Sequence, residues 1–490
     1  MNREEYLKQI DEVNAKGHYH AEWASLTDWR TPDWFERQKF GIFIHWGVFS
    51  VPAFGNEWYS RSMYEPETRE FKHHVETYGP QKDFGYKDFI PMFKAEKFNA
   101  DEWVEIFKRA GAKYIVPVAE HHDGFQMYKS ELSHWNAAEM GPHRDVLGEL
   151  KKSCDEKGVT FATSSHRAEH YWFQGVGRSI ESDINDETVD RDSIYWPSVK
   201  EQPDMGDVHS PVASSKEFLD DWLLRCCEIV DKYNPAIFYF DWWIMHESYK
   251  EHLKKFMAYY YNRCRERGRE GAIIYKHDPV PFGSGVPDVE RGKFALSQPY
   301  HWQTDTAIAY NSWCYTNNLD YKKADEILCY LVDVVSKNGN LLLNVGPKSD
   351  GTIPEEDKKI LFTIGDWLAR YGEAIYDSKP WKKAAEGPTK EAEGKFSDVK
   401  GKEYTSEDYR FTCGNGAVYA INLHYPTDGK LKINSLGVAE FNSLDFQGIV
   451  KRVSVPGYGD VKFEQKNDAL YVEGPVMDTN LPVVVKVETD

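Results

Sequence analysis

Short apolar runs that end in polar or ionisable residues recur between residues 41 and 347. Runs of this kind are typical of strands buried on both faces of a parallel sheet. Each run below is quoted with the polar residues that follow it. They are GIFIHWG (41–47), KYIVPVAEHHDGF (113–125), VTFATSSH (159–166), AIFYFDWW (236–243), AIIYKHD (272–278) and NLLLNVGP (340–347). The pattern predicts six strands.

Amphipathic helical patterns separate these strands. The first starts with Asp101 as its N-cap and stops at Gly111, and the last has Pro354 as its first residue. Strands and helices that alternate, with polar residues at the strand ends, favour a (β/α)8-like barrel in the α/β class; an open doubly wound sheet is the alternative. The predicted helices cover residues 101–111, 144–158, 215–234, 320–339 and 354–372.

Two regions depart from this alternation. Residues 170–214 are charged and lack periodicity, which is typical of a functional lid, an insertion or disorder. After residue 380 the chain changes to short alternating runs such as GAVYAINLH (416–424) and LPVVVKVET (481–489). These runs predict an antiparallel β-sandwich. We therefore expect a catalytic barrel at 1–380 and a C-terminal sandwich at 381–490.

Composition and charge narrow the function only slightly. Of 490 residues, 41% are hydrophobic and 15% are aromatic, and the formal net charge is −19. That charge opposes binding to nucleic acid or to an acidic membrane surface. The first residues, MNREEYLKQIDEVNAKG, contain no apolar signal-peptide core. The sequence also lacks an apolar run long enough to cross a membrane, so we expect no membrane insertion. We expect a cytoplasmic protein, or a secreted one whose signal peptide is absent from this sequence.

The seven cysteines are scattered, with no CxxC pair among them. Their odd number and their spacing match neither a disulfide framework nor a zinc knuckle. Cysteine is among the residues most often buried in protein interiors. The sequence therefore predicts free, buried thiols.

Asp241 is the most distinctive residue of the strand ends. It follows the apolar run AIFYF and precedes Trp242 and Trp243. A carboxylate walled by aromatic rings is costly there unless a partner or a substrate needs its charge. We interpret Asp241 as a nucleophile or an acid/base group; a helix cap or a buried ion pair is the structural alternative.

Glycoside chemistry needs a second carboxyl group, which moves protons. The spacing of the acidic residues does not rank the candidates. One of them, Glu290, follows a Gly/Pro-rich stretch that resembles a mobile loop, although such a residue taken alone is more often a solvated acid. The candidates are Glu57, Glu120, Glu169, Asp278, Asp288 and Glu290.

Three histidines, His45, His121 and His122, also follow predicted strands. They are candidates for bonds to a polyhydroxylated ligand, for a metal site that includes Asp123, or for structural contacts between strand ends. Neighbouring residues of a strand point to opposite faces, so without a bend only one of His121 and His122 is expected to enter a given site. The three form no HxH or HExxH motif, and we expect no metal and no cofactor.

Several tryptophans lie on or beside the strand-end motifs, among them Trp58, Trp242 and Trp313. Each one singly is more often a core residue. Together they favour one or two rings that stack against the apolar face of a sugar.

Six motifs occur in the order seen in glycoside hydrolase family 29, the α-L-fucosidases, which the chain resembles over roughly residues 30–380. The motifs are specific in combination, and none is decisive alone. Many members of the family read Lys-His-His-Asp where this chain has Glu120 before the histidine pair. The motifs are KFGIFIHWGVFSVP, NEWYSRSMY, AEHHDGFQMYKSELSHWN, AIFYFDWW, HWQTDTAIAYNSWCY and SKNGNLLLNVGPKSDGTIP.

The resemblance implies retaining, exo-acting hydrolysis of terminal α-L-fucose from fucosylated oligosaccharides or glycoconjugates. Asp241 matches the nucleophile, and Glu290 is the best match to the acid/base, whose position varies across the family. Trp313 matches an aromatic residue beside the methyl group of fucose. The positions that match contacts to the hydroxyl groups of fucose are His45, Glu57, Trp58, His121 and His122.

Three other functions compete with this hypothesis: a sugar-binding protein without catalysis, a metal-dependent hydrolase on the same barrel, and a retaining enzyme for a galactoside of similar stereochemistry. The hypothesis places the carboxyl carbons of Asp241 and Glu290 about 5–5.5 Å apart. It also expects the like charge of Asp241 to raise the pKa of Glu290. The sequence leaves linkage preference and oligomeric state open, and a homo-oligomer is compatible with it.

Overall fold

A computed structural model describes residues 2–200, 202 and 206–490. Its parallel strand segments are β1 (Phe40–Ile44), β2 (Tyr114–Glu120), β3 (Thr160–Phe161), β4 (Thr163–Ser165), β5 (Ile237–Phe240), β6 (Ala272–Lys276), β7 (Val286–Asp288), β8 (Trp302–Ala307) and β9 (Gly339–Val345). Among the described residues they form one sheet, in the order β1-β9-β8-β7-β6-β5-β4-β2-β3, which closes because β1 also pairs with β2. β3 and β4 are two parts of one strand position, since β2 pairs with both. The predicted eight-stranded barrel is confirmed.

Two of the barrel strands, β7 and β8, were not among the six that the hydrophobic pattern predicted. β7 is only three residues long and ends a Gly/Pro-rich stretch. β8 reads WQTDTA, and all six residues are buried. Tyr114 Oη donates to Gln303 Oε1 at 2.9 Å, and Tyr239 Oη donates to Asp305 Oδ2 at 2.9 Å. The barrel interior is polar here, so β8 lacks the apolar run expected of a buried strand.

Of the α-helices in the described ranges, three precede β1 in the chain, and the others follow it. Every helix that the sequence predicts is present. Two predicted helix starts are wrong. Asn99 rather than Asp101 is the N-cap of its helix, because the Asn99 side chain accepts from the backbone N–H groups of Asp101 and Glu102. Pro354 is an N-cap and not the first helical residue. The helices are α1 (Arg3–Lys16), α2 (Trp23–Leu26), α3 (Asp33–Gln38), α4 (Tyr59–Ser62), α5 (Arg69–Tyr78), α6 (Ala100–Arg109), α7 (Val146–Lys157), α8 (His170–Phe173), α9 (Lys216–Tyr233), α10 (Lys250–Glu266), α11 (Ala324–Ser336) and α12 (Glu355–Tyr371).

The segment 170–214 has little regular structure in its described part, as its sequence predicts. It contains α8 and a 3₁₀ turn at Gly175–Ser179. Asp183 fastens it, since its carboxylate accepts from Tyr64 at 2.8 Å and from Tyr195 at 2.6 Å and lies 2.7 Å from Lys87 Nζ. Residues 201 and 203–205 of this segment lie outside the described residues.

The C-terminal region is antiparallel, as predicted. Its strands are β10 (Lys379–Glu386), β11 (Tyr409–Gly414), β12 (Ala417–Asn422), β13 (Lys430–Ile433), β14 (Val450–Val455), β15 (Gly459–Asp460), β16 (Lys462–Gln465), β17 (Leu470–Glu473) and β18 (Val483–Thr489). They form sheets of order β10-β11-β12-β18-β14-β15 and β13-β17-β16. Buried contacts join the sheets to the barrel: Trp367 Nε1 donates to Pro482 O at 2.7 Å, and Arg410 Nε donates to Asp333 Oδ1 at 2.5 Å. A domain boundary at 380/381 stays a prediction.

Two further sequence expectations concern the thiols and the membrane. All seven cysteines are free, and all but the half-buried Cys413 are buried, as predicted. Within the described residues, no helix combines the length and the apolar character needed to cross a membrane.

Candidate active site

A cavity of about 380 Å³ opens where the barrel strands end at their carboxyl termini. All strands of a parallel barrel end on the same face, so residues far apart in sequence meet there. The eight site residues that the sequence singled out all line this cavity. The complete lining is Phe43, His45, Glu57, Trp58, His121, His122, His166, Asp241, Trp242, Lys276, His277, Glu290, Asp305, Trp313 and Phe396.

Asp241 directly follows β5, and each of its oxygens has polar partners. Oδ2 lies 3.0 Å from His166 Nδ1 and 3.4 Å from His122 Nε2. Oδ1 accepts from the Trp242 backbone N–H at 2.8 Å and lies 3.2 Å from Lys276 Nζ. Burial opposes the charge of this carboxylate, but Lys276 and the two histidines outweigh it and hold the pKa of Asp241 well below its usual range. Asp241 is therefore ionised and faces the cavity.

Glu290 lies two residues after β7, and its Oε2 is 3.0 Å from the same Lys276 Nζ. Burial raises the pKa of Glu290 to about 7; Lys276 opposes this shift, and Asp305 and Asp241 add to it. The expected repulsion from Asp241 is thus present, but burial is the larger cause. The two carboxyl groups have pKa values shifted in opposite directions, which is how an acid and a base are set apart in one site.

Lys276 and Asp305 belong to this site and were missed by the sequence candidates. Lys276 is the last residue of β6 and is buried, and Asp305 Oδ2 lies 3.5 Å from its Nζ. A fully buried lysine requires paired carboxylates. The sequence contained a signal for Lys276, since the apolar run AIIY ends in this residue. Asp305 gave no such signal because it lies within the polar strand β8.

His121 and His122 both line the cavity, which the strand geometry allows only because the chain bends. β2 ends at Glu120, and Gly124 adopts φ +80°, a left-handed conformation that favours glycine. A Cβ at Gly124 would also lie 2.6 Å from the His170 ring. The bend after β2 is thus the condition under which both histidines can enter one site.

The cavity histidines differ in charge. Burial lowers the pKa of His45 and of His121 well below the usual value. His45 Nδ1 lies 2.6 Å from Asn344 Oδ1, and His121 Nδ1 has no hydrogen-bond partner among the described residues. Burial also opposes the charge of His122, but Glu169 and Asp241 outweigh it and raise the pKa of His122 to about 9. Neutral His45 and His121 can accept as well as donate hydrogen bonds to a polar ligand.

His166 is a further residue that the sequence candidates omitted, although it ends the run VTFATSSH. Its Nδ1 lies 3.0 Å from Asp241 Oδ2 and its Nε2 lies 3.0 Å from Ser164 Oγ. Burial lowers the pKa of His166 although Asp241 opposes the shift. His166 therefore orients the Asp241 carboxylate as a hydrogen-bond donor.

Glu57, Trp58 and Trp313 form another part of the wall. Glu57 Oε2 accepts from the Trp313 backbone N–H at 3.1 Å, and burial raises the pKa of Glu57. The Trp58 ring lies edge-on to His122, with ring centroids 5.8 Å apart. The Arg291 guanidinium lies 4.6 Å from the centre of the Trp313 ring and holds it from outside the cavity lining. The lining thus combines flat apolar rings with hydrogen-bonding groups.

The remaining carboxylate candidates do not line the cavity. Glu120 is buried and pairs with Arg167 at 2.6 Å and Arg225 at 3.0 Å. The residue that replaces lysine of the Lys-His-His-Asp pattern therefore belongs to an ion-pair network beside the site. Glu169 lies behind His122, 3.2 Å from its Nδ1. Asp288 is buried and accepts from Gln303 at 2.8 Å, whereas Asp278 is exposed. Only Glu57 and Glu290 of the six proposed acids reach the cavity.

Two groups of side chains in the described part of the chain could hold a metal ion. The donor atoms of His45, His121 and His166 lie within 4.8 Å of one another, as do those of His122, His166 and Asp241. Such imidazole and carboxylate donors suit zinc. The same atoms are also suited to bind sugar hydroxyl groups, and the absence of a metal remains a prediction.

The chain matches known proteins over most of its length. A family model described as Alpha-L-fucosidase matches residues 6–373. The tissue α-L-fucosidase of Homo sapiens is 32% identical over 463 residues, which cover 90% of this chain and 86% of that protein. The plasma α-L-fucosidase of Homo sapiens is 33% identical over 428 residues, which cover 84% of this chain and 79% of that protein.

Solved structures agree with the sequence matches. The Thermotoga maritima α-fucosidase in complex with fucose is 30% identical and superimposes with a TM-score of 0.73, covering 96% of this chain and 100% of that one. The same enzyme with a mechanism-based inhibitor is 29% identical, with a TM-score of 0.74 and coverage of 96% and 99%. The family match, the barrel and the carboxylate-lined cavity agree, and the chain belongs to the α-L-fucosidase family of glycoside hydrolases.

Proposed function

We propose that this chain is a retaining exo-α-L-fucosidase that removes terminal α-L-fucose from fucosylated oligosaccharides or glycoconjugates, with Asp241 as nucleophile and Glu290 as acid/base. The observation that carries the proposal is that these two carboxyl groups face one cavity and share Lys276, with their pKa values shifted in opposite directions. Fucosylated substrates are proposed from the family match and from the fucose complex of the Thermotoga maritima enzyme.

The shared lysine brings the two carboxyl groups together. Asp241 Oδ1 and Glu290 Oε2 lie 3.2 Å and 3.0 Å from one nitrogen, so these two oxygens are no farther apart than the sum of these distances. Retaining enzymes place their two carboxyl groups about 5–5.5 Å apart, and this bound on the oxygens is compatible with that separation. We propose retention because the resemblance to the α-L-fucosidase family implies it.

In the first step Asp241 attacks the anomeric carbon, and the bond from that carbon to the leaving oxygen breaks. Glu290, protonated, gives its proton to the leaving oxygen, and a β-fucosyl ester of Asp241 forms. The low pKa of Asp241 keeps it ionised for attack, and the raised pKa of Glu290, about 7, leaves it mostly protonated below neutral pH. Each group is thus in the charge state that its role needs.

In the second step the Glu290 carboxylate takes a proton from water as the water oxygen attacks the anomeric carbon. The ester bond breaks, Asp241 leaves as a carboxylate, and α-L-fucose is released with net retention. One water molecule is consumed, and both residues return to their starting states. Lys276 stays within reach of both carboxylates and balances the charge that Glu290 acquires after the first step.

The other lining residues are proposed to hold the sugar. His45, His121, Glu57 and the charged His122 supply hydrogen bonds to hydroxyl groups. Such bonds tighten as positive charge develops on the ring in the transition state. Trp313 is proposed to face the methyl group of fucose, where an apolar ring favours methyl over hydroxymethyl by about 1–3 kcal/mol.

The same proposal extends to the organisation of the chain. Residues 1–380 would supply the catalytic barrel and residues 381–490 a β-sandwich. The first antiparallel strand, β10, begins at Lys379, so it crosses this proposed boundary. The contacts between Arg410 and Asp333 and between Trp367 and Pro482 hold the two parts together.

The stereochemical outcome tests the proposal directly. Hydrolysis of an aryl α-L-fucoside is followed by proton NMR from the first seconds, before the released sugar mutarotates. A retaining enzyme releases the α anomer first. Initial release of the β anomer would contradict the double displacement, and no release of fucose from any fucoside would contradict the proposed activity altogether.

A further inference from the structure

Phe396 is an exposed aromatic residue on the cavity that holds Asp241 and Glu290. It is 63% exposed and lines the cavity, whereas the aromatic residues proposed to surround the fucose, Trp58 and Trp313, are half-buried. It lies between β10 and β11, so it reaches the cavity from the C-terminal region and not from a barrel loop. A single exposed phenylalanine is common on protein surfaces. Phe396 differs from such a residue in the backbone contacts and the backbone conformation that hold it.

The main chain of Phe396 is hydrogen-bonded to the main chain of Glu290. Its N–H donates to Glu290 O at 2.9 Å. Two residues earlier, Gly394 N donates to Lys293 O at 2.9 Å and Lys293 N donates to Gly394 O at 3.3 Å. The two chains approach so closely that a Cβ at Gly292 would lie 2.1 Å from Gly394 O. Residues 394–398, which we call the rim segment, are therefore fixed to the loop that carries Glu290.

Asp398 fastens the other end of the rim segment to the barrel. Its Oδ2 lies 2.7 Å from Lys322 Nζ, accepts from Thr306 Oγ1 at 2.7 Å and lies 3.3 Å from Arg291. The same Arg291 packs on Trp313 at 4.6 Å. All three partners are buried. Such a buried, charge-paired anchor holds a loop far more firmly than surface contacts do.

The backbone at Phe396 adopts a conformation that is unfavourable for a bulky residue. Its φ is +54°, a left-handed conformation that is an outlier for a bulky residue. Strain of this kind persists where the surroundings impose it, and it clusters at ligand sites. Since the ring stays exposed, the strain does not bury the side chain in a core. It presents the ring to whatever enters the cavity.

We propose that Phe396 is a stacking platform for the leaving group, namely a neutral hexopyranose to which the fucose is linked. This inference rests on the proposed function, because it takes Glu290 as the acid. The acid gives its proton to the leaving oxygen, so it lies on the leaving-group side of the scissile bond. The main chain of Phe396 is hydrogen-bonded to that of Glu290, so we place Phe396 on the leaving-group side too. Its ring offers a flat apolar face to the C–H face of a pyranose.

The rim segment also supplies a polar group beside the ring. Lys395 Nζ lies 2.5 Å from Nδ1 of His277, a lining residue of the same cavity. A pyranose has an apolar face and an equatorial ring of hydroxyl groups, so a phenyl ring with polar neighbours matches it. An exposed platform also matches a leaving group that continues into a longer glycan outside the cavity.

The test compares two substrates in one protein. α-L-Fucosyl fluoride has a leaving group without a ring, whereas fucosyl disaccharides with galactose or N-acetylglucosamine present a pyranose to Phe396. The selectivity is the ratio of kcat/KM for a disaccharide to kcat/KM for the fluoride. In F396A this ratio should fall about tenfold, as expected for the loss of one stacking contact, and in F396W it should stay within about threefold of wild type. The control is F441A, because Phe441 is also exposed, at 98%, but lies outside the cavity lining.

Each outcome decides between the alternatives. An unchanged ratio in F396A, whether both activities persist or fall together, overturns the platform. A ratio that falls equally in F396W also overturns it, because tryptophan keeps a flat face. F396G should keep the wild-type Tm, since glycine adopts this φ without strain, and should lose selectivity as F396A does. A wild-type protein that turns over neither substrate would refute the proposed function, which is a different result from an active enzyme with unchanged selectivity.

Discussion

Asp241 and Glu290 present their carboxylates to one ammonium group, since Asp241 Oδ1 lies 3.2 Å and Glu290 Oε2 lies 3.0 Å from Lys276 Nζ. Sharing this cation does not give the two carboxyl groups the same pKa. Asp241 has two histidines on its other oxygen, and its pKa is held low, whereas burial raises the pKa of Glu290 to about 7. One carboxyl group is therefore ready to attack and the other to give a proton.

Replacing the Asp241 carboxylate should abolish turnover. D241A removes the attacking oxygen, and kcat/KM for an aryl α-L-fucoside should fall about a thousandfold or more. D186A is a matched control, because the Asp186 side chain is 97% exposed and is not part of the cavity lining. D241A activity within about tenfold of wild type would exclude Asp241 as the nucleophile.

E290A should lose acid catalysis but keep the nucleophile. On an aryl α-L-fucoside with a good leaving group the fucosyl ester still forms, and added azide can attack it in place of activated water. The expected product is α-L-fucosyl azide, and turnover should recover part of a loss of about 10²–10⁴-fold. Product analysis by NMR separates the two roles. β-L-Fucosyl azide from E290A would mean that azide replaces the nucleophile, so that the assignments of Asp241 and Glu290 are exchanged.

The pH profile should follow the proton on Glu290. The protonated form is the active acid, so kcat/KM for a fucosyl disaccharide should fall as the pH rises through about 7, where Glu290 loses its proton. α-L-Fucosyl fluoride needs no proton on its leaving group, and its kcat/KM should lack this limb. The same limb with both substrates would assign it to another group; Glu169, whose pKa burial raises to about 7, is the first to examine.

Removing the charge of Lys276 should move that limb upward. In K276M both carboxyl groups lose their nearest cation, so the pKa of Glu290 rises and the limb should shift by at least about one pH unit. K276R keeps the positive charge, and its limb should stay closer to that of wild type. The kcat/KM profile of each variant against a fucosyl disaccharide provides the measurement. An unmoved limb in K276M would mean that Lys276 does not set the protonation of Glu290.

Glu120 should matter for stability more than for chemistry. E120Q would leave the buried Arg167 and Arg225 short of one carboxylate, and breaking a buried ion pair costs about 3–5 kcal/mol. E131Q is the matched control, because the Glu131 side chain is 74% exposed in its pair with Lys232, and an exposed pair contributes about 0–1 kcal/mol. Thermal unfolding should show a clear decrease in Tm for E120Q alone. Equal Tm values for the two variants would contradict a structural role for the Glu120 pairs.

The predicted strand ends located much of the site because the carboxyl ends of all barrel strands meet on one face. Asp241, His45, His121 and His122 could be found in this way, since each lies at or just after the end of an apolar run. Asp305 could not, because β8 is buried among polar partners and has no apolar run. Phe396 could not either, because it belongs to a polar segment between β10 and β11 that the tertiary fold returns to the barrel.

The sequence by itself determined the alternation of strands and helices, the antiparallel C-terminal region and the residue types at the strand ends. These features depend on local periodicity and on which residues directly follow a strand. Only the tertiary structure decided that Asp241 and Glu290 share Lys276, that Glu120 pairs with arginines instead of facing the cavity, and that the rim segment lies against Glu290. Those relationships join residues far apart in the chain, and their distances and burial, which set the pKa values, exist only after the barrel has closed.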